Sequence, residues 1–404
     1  MSVFLYGSLR DPALLAVVVG RLPEVLPATL PDHAVRAAGD EAFPQILPEA
    51  GATARGLVAL GLTGDEIARL AFYEAGFHLA PAPVPAETAS GPCEVQLFLP
   101  GTAPKAGAAP ETETGTETVS DAGPDAGPGA GGWPAGAPWS YDAWRARWGE
   151  TTVATARAFM AEYGRDGGRE RAHRRWPLLL ARGASQVRAR APAPVTLRRA
   201  VTAGDISVAA RREPYANYFA IEEYDLSWRR FDGAMGRETT RAVFVSSDAV
   251  LVLPYDPVRD RVQLIEQFRM GPFARGDAEP WLLEVAAGRI DGGETPEEAA
   301  RREAIEESGT RMRELIAGPR GYASPGAITE YLYFFIGICD LPDRDKRIGG
   351  LEDEDEDIRA HVLAFDELMA LVDSGEIDST PIHLLANWLA RIRPRLRAAA
   401  GVPG

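Results

Sequence analysis

A run of glycine, glutamate and arginine between Gly288 and Thr310 constrains this chain more than any other feature. It reads GRIDGGETPEEAARREAIEESGT and has the spacing G-x5-E-x7-R-E-x-x-E-E-x-G. An α-helix turns by about 100° per residue, so Glu303, Glu306 and Glu307 would share one sector of a helix. Glu303 and Glu307 would form an i, i+4 pair of like charges, which costs a few tenths of a kcal/mol. A positive ligand is therefore expected at this face.

The residues around the run predict where the helix begins and ends. Thr295 followed three residues later by Glu298 is a capping box. Pro296 suits the first helical position, and Gly309 suits the stop. The predicted helix runs roughly over residues 296–308.

The residue types on this face favour a hard divalent cation. Carboxylate oxygens suit Mg²⁺ and Mn²⁺, and such ions usually bridge protein carboxylates to substrate phosphates. The run contains no Cys or His. Arg302 can pair with Glu306 at i, i+4 and fix its orientation. The alternative is a solvated surface helix, the common state of Glu-rich and Arg-rich helices. The agreement of so many spaced positions argues against it.

The run resembles the Nudix box, the helix-and-loop metal site of hydrolases that cut nucleoside diphosphates linked to another moiety. Ala304 and Thr310 are smaller than usual at two hydrophobic positions of that pattern. The segments EQFR (266–269), WLLE (281–284) and SPG (324–326) resemble the ADP-ribose pyrophosphatase branch. Pro325 stands where that branch has a proline that marks preference for ADP-ribose. The resemblance covers roughly residues 195–393.

This resemblance implies hydrolysis of ADP-ribose to AMP and ribose 5-phosphate, with Mg²⁺ or Mn²⁺ as cofactor. The implied metal ligands are Glu303, Glu307, the carbonyl oxygen of Ala287 and Glu356, which arrives when an acidic loop closes. A carboxylate that already binds metal has little proton affinity left, so the implied base is Glu354, with Glu356 still open for that role. A solvated acidic loop is the alternative for this segment. The implied catalytic set of this region is Glu354, Glu306 and Arg302.

The same resemblance implies a set of substrate-binding residues. Arg269 and Arg241 would grip phosphate with their planar guanidinium groups, although either could be a surface ion-pair partner. Glu330 would contact the terminal ribose, or else be a charge at a strand edge. Tyr218 would stack on adenine across the interface of a homodimer, and a packing role is the alternative.

Composition excludes several other classes of protein. A length of 404 residues predicts more than one domain, and the net charge of −15 argues against a nucleic-acid binder. Cys93 and Cys339 are far apart and lack metal-ligand spacing, so neither a disulfide framework nor a zinc site is indicated. The chain has no signal-peptide pattern and no apolar run long enough for a membrane span. We expect a soluble, cytoplasmic protein.

Four segments are expected along the chain. Residues 1–100 form one domain. Residues 101–139 are rich in Ala, Gly, Pro and acidic residues without periodicity and are predicted to be a flexible linker. Residues 140–194 carry helical periodicity and many arginines and are predicted to be a helical connector. Residues 195–398 alternate strand and turn signals before and after the box helix, which predicts an α/β fold with mixed strand order.

The first hundred residues carry a separate signal. A strand over residues 3–6 runs into Gly7, which lets backbone N–H groups face an anion. YGSL in this position, with YEAG at 73–76, resembles the γ-glutamylcyclotransferase fold, a small barrel. That resemblance implies that Tyr6, Gly7, Ser8 and Leu9 bind the substrate. It also implies that Glu74 moves a proton while the amine attacks the γ-carbonyl to give 5-oxoproline. A buried, merely paired Glu74 is the alternative.

The sequence therefore predicts a Mg²⁺-dependent ADP-ribose diphosphatase, an α/β/α sandwich preceded by a small cyclotransferase-like barrel, and a homodimer. The fusion resembles bacterial proteins associated with tellurite resistance, and no residue here shows that role. Two alternatives stay open for the C-terminal half: a Nudix hydrolase of another nucleotide sugar or dinucleotide, and an ADP-ribose sensor with little turnover.

Overall fold

The structure is a computed structural model that describes residues 1–38, 43–74, 79–100, 134–341, 348–349 and 357–402. It divides into two compact units, Met1–Arg190 and Ala191–Gly404. Each unit has its own hydrophobic clusters. The predicted base, Glu354, and the predicted metal ligand Glu356 lie outside the described residues. Within the described part of the chain, no helix is long and apolar enough to cross a membrane.

The first unit combines a barrel with a layer of helices. Its strands are β1 (Val3–Leu5), β2 (Val25–Ala38), β3 (Pro44–Ala59), β4 (Leu79–Thr88), β5 (Gly91–Pro100) and β6 (Ala135–Pro138). Its helices are a short 3₁₀ helix (Ser8–Arg10), α1 (Pro12–Val19), α2 (Gly64–Glu74), α3 (Tyr141–Met160), α4 (Gly168–Arg174) and α5 (Trp176–Arg188).

Five strands of this unit close on themselves. The order is β3-β1-β5-β4-β2, and β2 also pairs with β3, so the predicted small barrel is confirmed. Because the sheet closes, none of these five strands is a free edge. The short strand β6 pairs in addition with the end of β2. One cluster of barrel residues, which includes Phe4, Ile46, Val58 and Leu97, fills the interior. The barrel therefore has a packed core.

The helices of residues 140–190 pack against this barrel unit. Trp144, Phe159 and Leu179 belong to the same buried cluster as Val3 and Leu14 of the N-terminal elements. This segment, predicted to be a connector, is thus built into the first unit. Its ion pairs include one within the segment, between Arg171 and the buried Glu162 at 2.6 Å, and one to the N-terminal elements, between Arg145 and Asp11 at 3.3 Å.

Residues 135–138 also differ from the expected linker. They form β6, in which Pro138 lies opposite Arg36 of β2. The side chain of Gln45 donates to the carbonyl oxygen of Pro134 at 2.9 Å and to that of Ala37 at 3.1 Å. The strand pairing and the hydrogen bond to Pro134 join residues that are far apart in sequence. Composition alone therefore could not place the C-terminal boundary of the predicted linker.

The second unit contains two sheets and four helices in its described residues. Its strands are β7 (Ile206–Ala216), β8 (Ala220–Trp228), β9 (Thr239–Val245), β10 (Ala249–Asp256), β11 (Arg261–Phe268), β12 (Trp281–Glu284), β13 (Ala286–Arg289), β14 (Glu314–Tyr322), β15 (Tyr331–Ile338), β16 (Ile348–Gly349) and β17 (Ile358–Ala364). Its helices are α6 (Met270–Arg275), α7 (Pro296–Ser308), α8 (Phe365–Ser374) and α9 (Thr380–Ala399).

The large sheet of this unit lies between helices. Its order is β14-β15-β10-β11-β17-β16, with β12 beside β11 and β13 beside β10, and β10 pairs with β15 in parallel. Alternate residues of β10 face opposite sides: Leu251 and Leu253 join the cluster with α8 and α9, whereas Val250 and Val252 join the cluster with α7. The predicted α/β/α sandwich with a mixed sheet is confirmed.

The packing of α3 and α5 predicts where the first unit can be cut. A fragment of residues 1–100 would expose the apolar surface that Trp144 and Phe159 bury, at about 25 cal/mol per Å². We expect a fragment of residues 1–190 to melt cooperatively by circular dichroism, and a fragment of residues 1–100 to lack a cooperative transition. A cooperative melt of the shorter fragment at a similar temperature would contradict this packing.

Candidate active sites

The box helix forms as the sequence predicts. Helix α7 spans Pro296–Ser308, Thr295 and Glu298 make both hydrogen bonds of the capping box, and Gly309 ends the helix. Three alanines of this helix, Ala299, Ala300 and Ala304, are fully buried. Because these side chains are small, the helix lies close to the sheet and its carboxylates reach β13.

Arg302 is the centre of the charged face. Its guanidinium donates to Glu294 at 2.9 and 3.0 Å, to Glu303 at 2.7 Å and to Glu306 at 3.0 Å. The predicted pairing of Arg302 with Glu306 is confirmed. It also donates to the carbonyl oxygen of Arg289 at 3.0 Å. One guanidinium thereby offsets the mutual repulsion of three carboxylates and ties α7 to the strand that carries Gly288.

Gly288 makes room for Glu303. A Cβ atom at residue 288 would lie 2.0 Å from Oε1 of Glu303, which is far inside van der Waals contact. Burial raises the pKa of Glu303 to about 7, against the opposing effect of Arg302. The glycine at the start of the box is therefore required by the carboxylate that rests on it.

Glu307 reaches the same strand from the next turn of the helix. It is 3% exposed, and its Oε2 accepts from the backbone N–H of Ala287 at 2.8 Å. The side chains of Glu303 and Glu307 thus contact two adjacent residues of β13: Glu303 lies against Gly288, and Glu307 is bonded to Ala287. A cation at this point would meet only oxygen donors: two carboxylates and the carbonyl oxygen of Ala287.

The donor atoms of these residues are all oxygens, which suits a hard divalent cation. Within the described ranges, no cluster of three or more His, Cys, Asp or Glu side chains has the geometry of a metal site. The fourth predicted ligand, Glu356, lies outside those ranges. The described contribution is a pair of carboxylates and one carbonyl group, which suits an ion that also binds substrate phosphates.

The two arginines predicted to bind phosphate have different surroundings. Arg269 lies directly after β11, and its Nε donates to Glu284 at 2.5 Å. Sequence reasoning did not select Glu284, although it ends the WLLE segment. Arg241 lies on β9, is exposed, and donates to Thr239 at 2.9 Å.

Tyr218 and Glu330 have partners that the sequence did not reveal. Tyr218 is 58% exposed, and the guanidinium of Arg289 lies 4.8 Å from the centre of its ring. Glu330 is half-buried, and burial, with the nearby charge of Asp248, raises its pKa. Asp248 is 5% exposed and comes just before β10. These pairs join distant parts of the sequence, so only the fold could show them.

The first unit carries a second, separate pocket. Tyr6, Gly7, Ser8 and Leu9 line it together with Glu74, as predicted, and its volume is about 60 Å³. The other residues of its lining are mostly aromatic or apolar, namely Phe4, Leu5, Ala38, Phe43, Pro44, Gln45, Tyr73 and Phe98. Among the described lining residues, Glu74 is the one that carries a charge.

The chemistry of this pocket centres on Glu74. Burial raises the pKa of Glu74 to about 7, so the carboxyl group can exchange a proton near neutral pH. Burial and the charge of Glu74 also raise the pKa of Tyr6 and of Tyr73, which keeps both hydroxyl groups protonated. At Gly7 a Cβ atom would lie 2.4 Å from Cγ of Pro44, so the turn needs glycine.

The short 3₁₀ helix follows Gly7 and lines the same pocket as Glu74. Arg10 donates its N–H to the carbonyl oxygen of Gly7, and Asp11 donates to that of Ser8. The first N–H groups of such a helix have no partner within it. Gly7, Ser8 and Leu9 of the YGSL turn line the pocket together with Glu74.

Two parts of the chain match known protein families. Residues 246–384 match the NUDIX domain model, and residues 3–115 match the model described as Gamma-glutamyl cyclotransferase, AIG2-like. The ADP-ribose pyrophosphatase of Escherichia coli (strain K12) is 38% identical over 185 residues, which are 46% of this chain and 88% of that protein. The ADP-ribose pyrophosphatase of Haemophilus influenzae is 33% identical over 46% of this chain and 86% of that protein.

Other relatives are named for a different substrate, GDP-mannose. The GDP-mannose pyrophosphatase of Pectobacterium atrosepticum is 35% identical over 43% of this chain and 89% of that protein. The match to a solved structure of an ADP compounds hydrolase covers 48% of this chain and 98% of that one, with a TM-score of 0.37 and 22% identity.

A capped helix that presents carboxylates to a glycine-containing strand, within a mixed-sheet sandwich, defines a hydrolase that acts on pyrophosphate bonds. The chain belongs to the Nudix family, with an AIG2-like γ-glutamyl cyclotransferase domain in front of its Nudix domain.

The contact between Gly288 and Glu303 yields a direct test. In Gly288→Ala the new methyl group must displace the Glu303 carboxylate, and a misplacement of about 1 Å can cost about a hundredfold in rate. We expect hydrolysis of ADP-ribose to fall by about that factor in a steady-state assay. Gly321→Ala is the matched control, because no atom lies within 4 Å of its new Cβ. Equal rates in the two variants would contradict the described position of Glu303.

Proposed function

We propose that the second unit hydrolyses the pyrophosphate of ADP-ribose to AMP and ribose 5-phosphate, with Mg²⁺ as cofactor and Mn²⁺ as a substitute. The observation that carries the proposal is the position of Glu303 and Glu307 against Gly288 and Ala287, with Arg302 holding the surrounding carboxylates. The names of the Escherichia coli and Haemophilus influenzae relatives support ADP-ribose as the substrate.

The proposed cation ligands are Glu303, Glu307, the carbonyl oxygen of Ala287 and Glu356. A bound Mg²⁺ would neutralise the phosphate charge that develops during cleavage. The protein holds its donors ready for this task, since Arg302 fixes Glu303 and Glu306 while the Ala287 amide fixes Glu307.

The proposed base is Glu354, which takes the proton of the attacking water. Glu303 and Glu307 are poor candidates because a carboxylate that binds a cation has little affinity left for a proton. An acidic loop can approach when substrate is bound and withdraw to release products. Glu306 is held by Arg302 at 3.0 Å and orients this arginine.

The proposed substrate contacts use groups that are already held in place. Arg269 is steadied by Glu284 and can offer its remaining N–H donors to a phosphate, and Arg241 contributes a second guanidinium. Tyr218 would stack on adenine through the ring face that Arg289 leaves open. Glu330, a half-buried carboxyl group, would accept from ribose hydroxyls.

The three-stranded sheet of β7, β8 and β9 supports a homodimer. It exposes apolar side chains that a monomer rarely leaves in water: Ile206, Val208, Tyr215, Trp228 and the adjacent Phe231, with exposed fractions of 42% to 96%. A second copy of the chain would cover them. A monomer in sedimentation equilibrium at micromolar concentration would count against this assembly.

A substrate panel separates this proposal from its rivals. We expect AMP release from ADP-ribose to exceed turnover of GDP-mannose, ADP-glucose, NADH and diadenosine polyphosphates by about a hundredfold in kcat/KM, which is about 2.7 kcal/mol of transition-state binding. Glu307→Gln should abolish metal-dependent turnover, and Glu297→Gln on the exposed first turn of α7 is its control.

Two outcomes of the panel would overturn the proposal. A preference for GDP-mannose would assign the chain to the activity named for the Pectobacterium relative. Tight binding of ADP-ribose without turnover at saturating Mg²⁺ would favour a sensor.

For the first unit we propose a γ-glutamyl cyclotransferase activity, supported by the joint position of the YGSL turn and Glu74 in one pocket. The amides of the turn would bind the substrate carboxylate. Glu74 would take a proton from the amine as its nitrogen attacks the γ-carbonyl carbon, and would return it to the leaving amine as the γ-amide bond breaks. The products are 5-oxoproline and the free amine.

The raised pKa of Glu74 predicts opposite pH effects on activity and on stability. The base must be ionised, so release of 5-oxoproline should rise with pH through about 7. The folded state binds this proton more tightly than the unfolded state, so the stability it contributes is present below pH 4.5 and is lost as pH rises to about 7. The loss is roughly 3 kcal/mol.

Glu74→Gln tests both effects. The variant should lose cyclotransferase activity at every pH, and by urea denaturation it should be more stable than the parent at pH 8 and equally stable at pH 4. Glu87→Gln, an exposed change in the same unit, is the control. Equal stability of parent and Glu74→Gln at pH 8 would contradict a buried, charged Glu74.

A further inference from the structure

The helices of residues 140–190 reach the pocket of the first unit through one side chain. Trp176 is the first residue of α5, and its ring centre lies 6.0 Å from that of Phe43 and 6.4 Å from that of Tyr73, both in edge-to-face geometry. Phe43 and Tyr73 line the pocket. Trp176 therefore supports two walls of the pocket from behind.

One of the two supported residues, Tyr73, directly precedes Glu74 in the chain. Tyr73 and Glu74 are the last two residues of α2. Phe159 of α3 packs edge-to-face on Tyr73 at 5.6 Å and on Trp176 at 5.6 Å. Edge-to-face pairs hold rings at set angles because the ring edge is positive and the face negative. The end of α2, and with it Glu74, is thus held by rings from α3 and α5.

The position of Trp176 is itself fixed by buried charge. Arg175, its neighbour in sequence, is 4% exposed and lies 3.9 Å from Glu162, which is 2% exposed. Glu162 also accepts from Arg171 at 2.6 Å. A buried charge that loses its partner is costly, so this corner between α4 and α5 has little freedom to move. Trp176 follows Arg175 at this corner, and its ring contacts the pocket-lining rings of Phe43 and Tyr73.

We propose that α3, α4 and α5 belong to the cyclotransferase unit, and that Trp176 is a positioning residue that fixes Phe43 and Tyr73 and, through Tyr73, Glu74. The residues that match the cyclotransferase model end at 115, so this role lies outside the matched part of the chain. The inference rests on the proposed cyclotransferase function and adds a third element to it, beside the YGSL turn and Glu74.

Three variants of the full chain test the role of Trp176. Trp176→Leu keeps an apolar side chain but removes the ring contacts, and Trp176→Phe keeps an aromatic ring. Trp148→Leu is the matched control, because Trp148 packs on the same hydrophobic cluster and, in the part of the chain that the structure describes, has no ring contact with the pocket lining. AMP release from ADP-ribose reports that the second unit is intact in each variant.

The first measurement is release of 5-oxoproline from glutathione and γ-glutamyl dipeptides across pH 5 to 9. Trp176→Leu should lower kcat by about tenfold or more, since misplaced catalytic groups cost rate before they cost binding. Its KM should change less than its kcat, and the acidic limb of its pH profile should move to lower pH as Glu74 becomes hydrated. Trp176→Phe should recover most of the rate. Equal kinetics in Trp176→Leu and Trp148→Leu would overturn the proposal.

The second measurement does not depend on activity. Hydrogen exchange of full-length protein should accelerate in peptides that cover residues 43–48 and 70–74 in Trp176→Leu, and not in Trp148→Leu. The same exchange in both variants would show that Trp176 only adds general stability. If the parent itself releases no 5-oxoproline, the cyclotransferase function fails, and exchange alone decides whether Trp176 holds the pocket.

Discussion

The Nudix site depends on one guanidinium group among carboxylates. Glu294, just before α7, and Glu303 and Glu306 on α7 would repel one another without a cation between them, and Arg302 contacts all three. Glu303 and Glu306 are like charges one helical turn apart, which destabilises a helix, and the partial burial of Glu303 adds a desolvation cost. Because Arg302 also donates to the carbonyl oxygen of Arg289, it fixes the distance between α7 and β13. The position of Glu303, one of the proposed metal ligands, depends on that link.

Both candidate sites also depend on a glycine that allows close approach. Gly288 leaves the space that the Glu303 carboxylate occupies, and Gly7 leaves the space that Pro44 occupies. In each case the neighbour belongs to a different secondary-structure element. The two sites therefore share a physical device although they belong to different units and different chemistries.

Local signals in the sequence sufficed for the box helix. The capping box at Thr295 and the stop at Gly309 act within a few residues, so the predicted bounds of α7 match the observed ones. The barrel and the mixed-sheet sandwich also follow from motifs that belong to known folds. The last helix, α9 (Thr380–Ala399), buries an apolar face in the core of the second unit, and this tertiary packing helps to sustain its length.

Long-range pairs could not be predicted in this way. The pairing of Arg269 with Glu284, the closeness of Glu330 to Asp248, and the contact of Trp176 with Phe43 each join elements that only the tertiary fold brings together. The packing of residues 140–190 on the barrel has the same origin. Periodicity shows which face of a helix is apolar, but it does not show what covers that face.

The most direct test of the central claim is a crystal structure with Mn²⁺ and a non-cleavable analogue of ADP-ribose, with the metal located by anomalous scattering. The account predicts Mn²⁺ bound by Glu303, Glu307 and the carbonyl oxygen of Ala287, in contact with the diphosphate of the analogue. An anomalous map without metal at these residues, with the analogue bound elsewhere on the protein, would contradict it.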